Sequence, residues 1–150
     1  MKKLTSLLVI FIFSINILSA QKKTNTDKSG LAIEGYDPVS YFTSPKAIEG
    51  KKEFAFTTEG ATYHFASAGN RELFKANPVK YQPQYGGWCA YAMGASGEKV
   101  EVDPETFKLI NGKLYLFYNK FFNNTKKSWD KDENNLKNKA DANWNNLLKK

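Results

Sequence analysis

The hydrophobic and polar positions divide this chain into three stretches. Leu4 to Leu18 is apolar and uncharged. Gln21 to Ser29 is polar, rich in Lys, Thr, Asn and Ser, and has no period. From Gly30 onward the apolar positions follow structured periods. Phe54 and Phe56 alternate with polar neighbours, and Thr62 to Ala66 returns after Glu59-Gly60, which predicts a hairpin. Ser67 caps a predicted helix from Ala68 to Ala76 with Leu73 and Phe74 inward, and Asn77-Pro78 stops it. Lys99 to Val102 reads as a strand and Asp103-Pro104-Glu105 as a capped turn. Phe107 to Ile110 and Lys113 to Phe117 flank Asn111-Gly112, the strongest hairpin signal in the chain. Phe121, Trp129, Leu136, Ala140, Trp144, Leu147 and Leu148 recur near a helical spacing, so the remainder is expected to be helical, its last helix starting at Ser128 or Asp130.

The amino terminus follows the order of a secretion signal. Met1-Lys2-Lys3 is basic, the next segment apolar, and Ser19-Ala20 small. The apolar run is shorter than the ~20 residues that cross a bilayer. The expected organisation is a signal over 1–20, a flexible leader over 21–30 and one domain over 31–150. The protein is then periplasmic or secreted, with no stable membrane span after cleavage.

Charge and cysteine content narrow the function. The formal charge is +7, and it falls to +5 when Lys2 and Lys3 leave with the signal. Arg71 is the only Arg. A nucleic-acid reader uses clustered Arg to fork onto phosphates and bases, so no nucleic-acid partner is expected. Cys89 is the only Cys, which rules out an internal disulfide. A single exported Cys is a buried inert thiol, a metal ligand, or one half of an intermolecular bridge.

Several elements occur in an order that resembles one family. They are Gly35-Tyr36-Asp37-Pro38-Val39-Ser40-Tyr41-Phe42, Tyr63-His64-Phe65-Ala66-Ser67, Asn70-Arg71 with Phe74 and Asn77-Pro78, then Pro83-Gln84-Tyr85-Gly86-Gly87-Trp88-Cys89-Ala90, Asp103-Pro104, Gly112 to Leu116, and Ala140-Asp141 with Asn143-Trp144. In these the chain resembles the YHS-domain family in its longer exported form. Compact modules of that family resemble Cys-built metal sites. The places of three such Cys are taken here by Ser40, Ala66 and Asn70. The resemblance therefore implies the scaffold without that thiolate set.

The remaining soft donors form the candidate site. His64 is the only His and sits in a predicted strand. Neutral imidazole is the commonest protein metal ligand. Cys89 and Met93 lie four apart, on one face of a helix. Thiolate, thioether and imidazole together suit Cu(I). Each residue also has an ordinary structural reading, in a hydrogen-bonded strand or in the core. Tyr85, Trp88 and Tyr91 are the candidate wall of an aromatic pocket, or else core around the glycine pair. No phosphate loop, HExxH or Gly-x-Ser-x-Gly pattern occurs, and Asp37 and Asp103 read as turn caps before proline. No catalytic residue is assigned.

The fold expected is α+β: a small, mostly antiparallel sheet from hairpins, covered by short helices and a longer carboxy-terminal helix. The expected function is an exported, non-catalytic protein that binds copper or another soft metal through Cys89, His64 and Met93. The alternatives are a metal-free module for a protein or small molecule, and a thiol-dependent enzyme using Cys89 with His64.

Overall fold

The computed structural model describes residues 23–150. The proposed signal, and Gln21-Lys22 of the leader, lie outside these residues. Among the described residues the paired strands form three antiparallel two-stranded ribbons, and six helices surround them, so the class is α+β.

The first ribbon joins β1 (Lys51–Thr58) to β2 (Ala61–Phe65) through Glu59-Gly60. Alternation along β2 buries Ala61, Tyr63 and Phe65. The second joins β3 (Asp103–Ile110) to β4 (Lys113–Phe117) through Asn111-Gly112. Strand β4 is buried on both faces. Leu114 and Leu116 enter one core with Tyr41, Phe65 and Phe74, while Tyr115 and Phe117 enter a second with Met93, Trp129 and Ala140. The period of two thus makes β4 the wall between two cores. The third ribbon, β5 (Asn119–Lys120) with β6 (Asn123–Asn124), is one turn long.

Six helices complete the fold: α1 (Ser40–Thr43), α2 (Ala68–Ala76), α3 (Pro78–Tyr81), α4 (Ala90–Ala95), α5 (Thr125–Trp129) and α6 (Glu133–Leu148). Ser67 caps α2 by accepting the Asn70 N–H at 3.1 Å. Gly94 lets α4 lie against α6, because a Cβ there would come within 2.5 Å of the Leu136 carbonyl. Asn143 of α6 donates to the Met93 carbonyl at 2.8 Å and closes the carboxy end of α4.

Four local expectations are corrected. Residues 99–102 are irregular, because the Val100 carbonyl faces the Cys89 N–H instead of a neighbouring strand. Asp103 does cap its turn, accepting from Glu105 N and Thr106 Oγ1, but within a bulged start of β3. Leu73 is 46% exposed, and Phe74 alone anchors α2 in the core. Phe121 is no part of a helix; it stands at the tip of the third ribbon.

The leader is also tied down from Lys23 onward. Asn25 N donates to Gly86 O at 2.8 Å, and Trp88 Nε1 donates to Lys23 O at 3.2 Å. Gly86 has φ +62°, and a Cβ there would meet the Lys23 carbonyl at 2.1 Å. Backbone pairing thus overrides the polar composition on which the expectation of flexibility rests.

Candidate functional site

Cys89 sits between a tight turn at Gln84–Gly87 and α4. Its backbone is extended at φ −55°, ψ 118°, so it precedes the helix without belonging to it. The side chain is wholly buried. Its Sγ accepts the Tyr118 N–H at 3.3 Å and lies 3.4 Å from Thr125 Oγ1. The Thr125 hydroxyl proton goes to the Tyr118 carbonyl at 2.8 Å. A hydroxyl has one proton, so the Cys89 S–H is the donor in the contact with Thr125. The sulfur is a satisfied thiol, donating once and accepting once.

A cavity of about 420 Å³ opens above this thiol. Tyr91, Ala92, Ala95 and Val100 give it apolar walls, and Ser96, Tyr118, Asn123 and Thr125 add polar edges. Two other cavities are smaller, about 240 Å³ beside Asn25–Asp27 and about 270 Å³ between Tyr63, Tyr85 and Trp144. Of the three aromatics proposed as a pocket wall, Tyr91 faces the Cys89 cavity and Tyr85 the Trp144 cavity. Trp88 instead holds the leader through its indole N–H. The Tyr85 hydroxyl donates to Asp141 at 2.8 Å. Burial first, and then that carboxylate, push the Tyr85 phenol well above its ordinary range.

The three soft donors do not converge. Tyr63 and Phe65 point into the core that contains Cys89, so His64 between them points away from it. The His64 Nδ1 lies beside Gly35. Met93 packs in the second core, with Trp129 and Ala140, although its N–H closes a turn on the Cys89 carbonyl at 3.0 Å. Residues four apart share a helical face only if both are helical, and Cys89 is not. Among the described residues no group of three or more His, Cys, Asp or Glu is placed to hold a metal. The donor set read from the sequence does not fit one copper ion here.

A second buried polar centre forms around Asp37, which is 0% exposed. Oδ1 accepts Val39 N at 2.8 Å, and Oδ2 accepts Ala66 N at 2.8 Å and Asn70 Nδ2 at 2.6 Å. Ser40 Oγ donates to the Asp37 carbonyl at 2.8 Å. Ser40, Ala66 and Asn70, the positions at which the resembled pattern carries Cys, therefore meet around one residue, Ala66 and Asn70 at the Asp37 carboxylate and Ser40 at its main-chain carbonyl. Asp37 caps its turn as expected, and it also fastens α1 to the end of β2 and the start of α2. Its donors fill both oxygens, so the centre is structural.

Sequence reasoning missed Tyr118 and Thr125 as partners of Cys89, and Asn123 as part of the cavity lining. Asn123-Asn124-Thr125 reads as a glycosylation pattern, yet Thr125 is buried and Asn124 caps α5 by accepting from Lys126 N at 3.1 Å. No local signal joins residue 89 to residues 118–125; only the close of β4 brings them together. No described helix is long and apolar enough to cross a membrane. Comparison with protein-family models, characterised proteins and solved structures finds no match to this chain.

Proposed function

We propose that this chain is an exported, non-catalytic binding domain that holds a small, largely apolar molecule in the cavity above Cys89. The cavity itself carries the reading. Its volume of about 420 Å³ is in the range of ligand pockets, and its lining is apolar with a few polar edges. Among the described residues none that lines the cavity is a His, Asp or Glu, and the thiol at its base already donates its proton to Thr125, which favours binding over nucleophilic chemistry.

The test uses anilinonaphthalene sulfonate as the probe, titrated into the full chain and into Ala95→Trp. Ala95 is exposed at the cavity mouth, so the new indole fills the mouth without entering the core. The expected result is dye binding weakened at least about tenfold in the variant, at unchanged circular dichroism. Equal binding by both forms would sink the proposal. A Cu(I) titration beside Cys89→Ala decides the metal reading in the same preparation. One-to-one uptake lost in that variant would replace the small-molecule reading with the copper one.

A further inference from the structure

The tip of the third ribbon breaks two physical rules at one place. Asn119 pairs with Asn124 and Lys120 with Asn123, so Phe121 and Phe122 are the two residues of a hairpin turn. Their φ values are 53° and 62°. A two-residue turn with both φ positive selects Asn-Gly, Asp-Gly or Gly-Gly, because a Cβ is strained in that region. Both phenyl rings also stand in solvent, at 89% and 110% of full exposure. Among the described residues they are the two most exposed large apolar side chains, and they are adjacent.

The stem beneath the tip is fixed. Thr125 N donates to Tyr118 O at 3.0 Å, and Asn119 Nδ2 donates to Thr106 Oγ1 at 2.9 Å. The strained turn is therefore held out by the core, and local strain that the surroundings impose points to use. The segment that carries the tip is basic, although Asp103 accepts from Asn119 in the stem at 3.3 Å. From Thr106 to Ser128 the sequence has no acid and carries Lys108, Lys113, Lys120, Lys126 and Lys127. Lys108 and Lys126 are engaged with Asp130, whereas Lys120, next to the tip, and Lys127, in the first turn of the helix that follows the ribbon, are both exposed.

We infer that the Phe121-Phe122 tip is a docking element for an anionic lipid surface, with both rings inserted at the headgroup boundary and Lys120 and Lys127 on the phosphates. Apolar rings with a basic collar are the pattern of interfacial membrane binding, in which burial and charge attraction add. A protein partner would need a broader surface, on the order of 800 Å² a side with an apolar centre. Here the two rings are flanked by Asn119, Lys120, Asn123 and Asn124, so a deformable interface fits them better than a preformed pocket. The inference does not depend on what the Cys89 cavity holds, although Tyr118, Asn123 and Thr125 belong to both.

The test is co-sedimentation with phosphatidylcholine vesicles, with and without phosphatidylglycerol, for the full chain and for Phe121→Asn/Phe122→Gly. Both forms are prepared identically, so any contribution of the apolar residues 4–18 is common to them. The substituted turn suits its backbone, so the variant folds. The expected result is binding to the anionic vesicles that weakens with salt and falls at least about tenfold in the variant. Lys120→Glu/Lys127→Glu lowers the same binding with the rings intact. Equal sedimentation of wild type and the Asn-Gly variant overturns the inference. So does absence of wild-type binding, which would leave a protein as the occupant of the tip.

Discussion

The turns that close β3–β4 and β5–β6 share a backbone and differ in everything else. Asn111 and Gly112 have φ 50° and 71°; Phe121 and Phe122 have 53° and 62°. In the first, side chains serve the backbone: Asn tolerates the left-handed region, and around Gly112 a Cβ would find open space. In the second, the backbone is strained to hold up two rings that touch little of the protein. Glu59-Gly60 follows the first pattern, with φ 49° and 77°. The difference separates a turn chosen to fold from one retained for what it presents.

The largest effect is expected from forcing the second sequence onto the first turn. Asn111→Phe/Gly112→Phe introduces the strain with no compensating contact, and should lower stability by roughly 2–4 kcal/mol. Urea unfolding reads this; an unchanged midpoint would show that aromatic residues are tolerated in these turns and would remove the anomaly at the tip. The converse exchange, Phe121→Asn/Phe122→Gly, should raise stability by about 1–2 kcal/mol, since exposed rings contribute little packing to lose. That is a gain of ~3–6 °C in Tm for a domain of this size. A drop in Tm instead would mean that the rings support the fold.

The smallest effect concerns the strap joining the two turn units. Lys108 of β3 bridges Asp130 at 2.7 Å and also engages Glu133, and Lys126 reaches Asp130 at 2.9 Å. The hydrogen bond from Lys108 is the main cause that holds the Asp130 carboxyl below its ordinary 3.8, opposed by burial and aided by Lys126. The folded value is depressed, so the stabilisation is complete above the ordinary value and is lost as pH falls through the folded one. Asp130 is 38% exposed, which puts the strap in the surface range of ~0.2–1 kcal/mol. Asp130→Asn should therefore cost that much at neutral pH, a cost that disappears as pH falls through the folded value. A gap between the two proteins that persists in acid would assign the effect to packing.

What could be read from the sequence was what lies close in the chain. The Asn111-Gly112 and Glu59-Gly60 hairpins and the Ser67 cap each rest on residues within a few positions. The tip failed that reading because Phe121 falls near the helical spacing of Trp129 and Leu136, and apolar periodicity carries no warning that a ring stands in solvent. The site was legible by type and not by place. Cys89 and Tyr91 both border the cavity, but as residue types they fit a core equally well. The helical spacing of Cys89 and Met93, however, assumed a helix that begins one residue after the cysteine. The opposed facing of His64 and the Cys89 core follows from strand alternation together with tertiary packing, and only the first is written locally.

The Asp37 centre also sets an order of assembly. Its carboxylate draws donors from Ala66 and Asn70, 29 and 33 positions further along the chain. Until those donors arrive the charge must stay in water, since burying it without partners is strongly unfavourable. The segment around α1 therefore cannot seal onto the core by itself. It waits for the first ribbon and the opening turn of α2, paying the entropy of a long loop at the moment the carboxylate is enclosed. Closure of the amino-terminal segment is thus coupled to the first ribbon and the start of α2 through the burial of a single side chain.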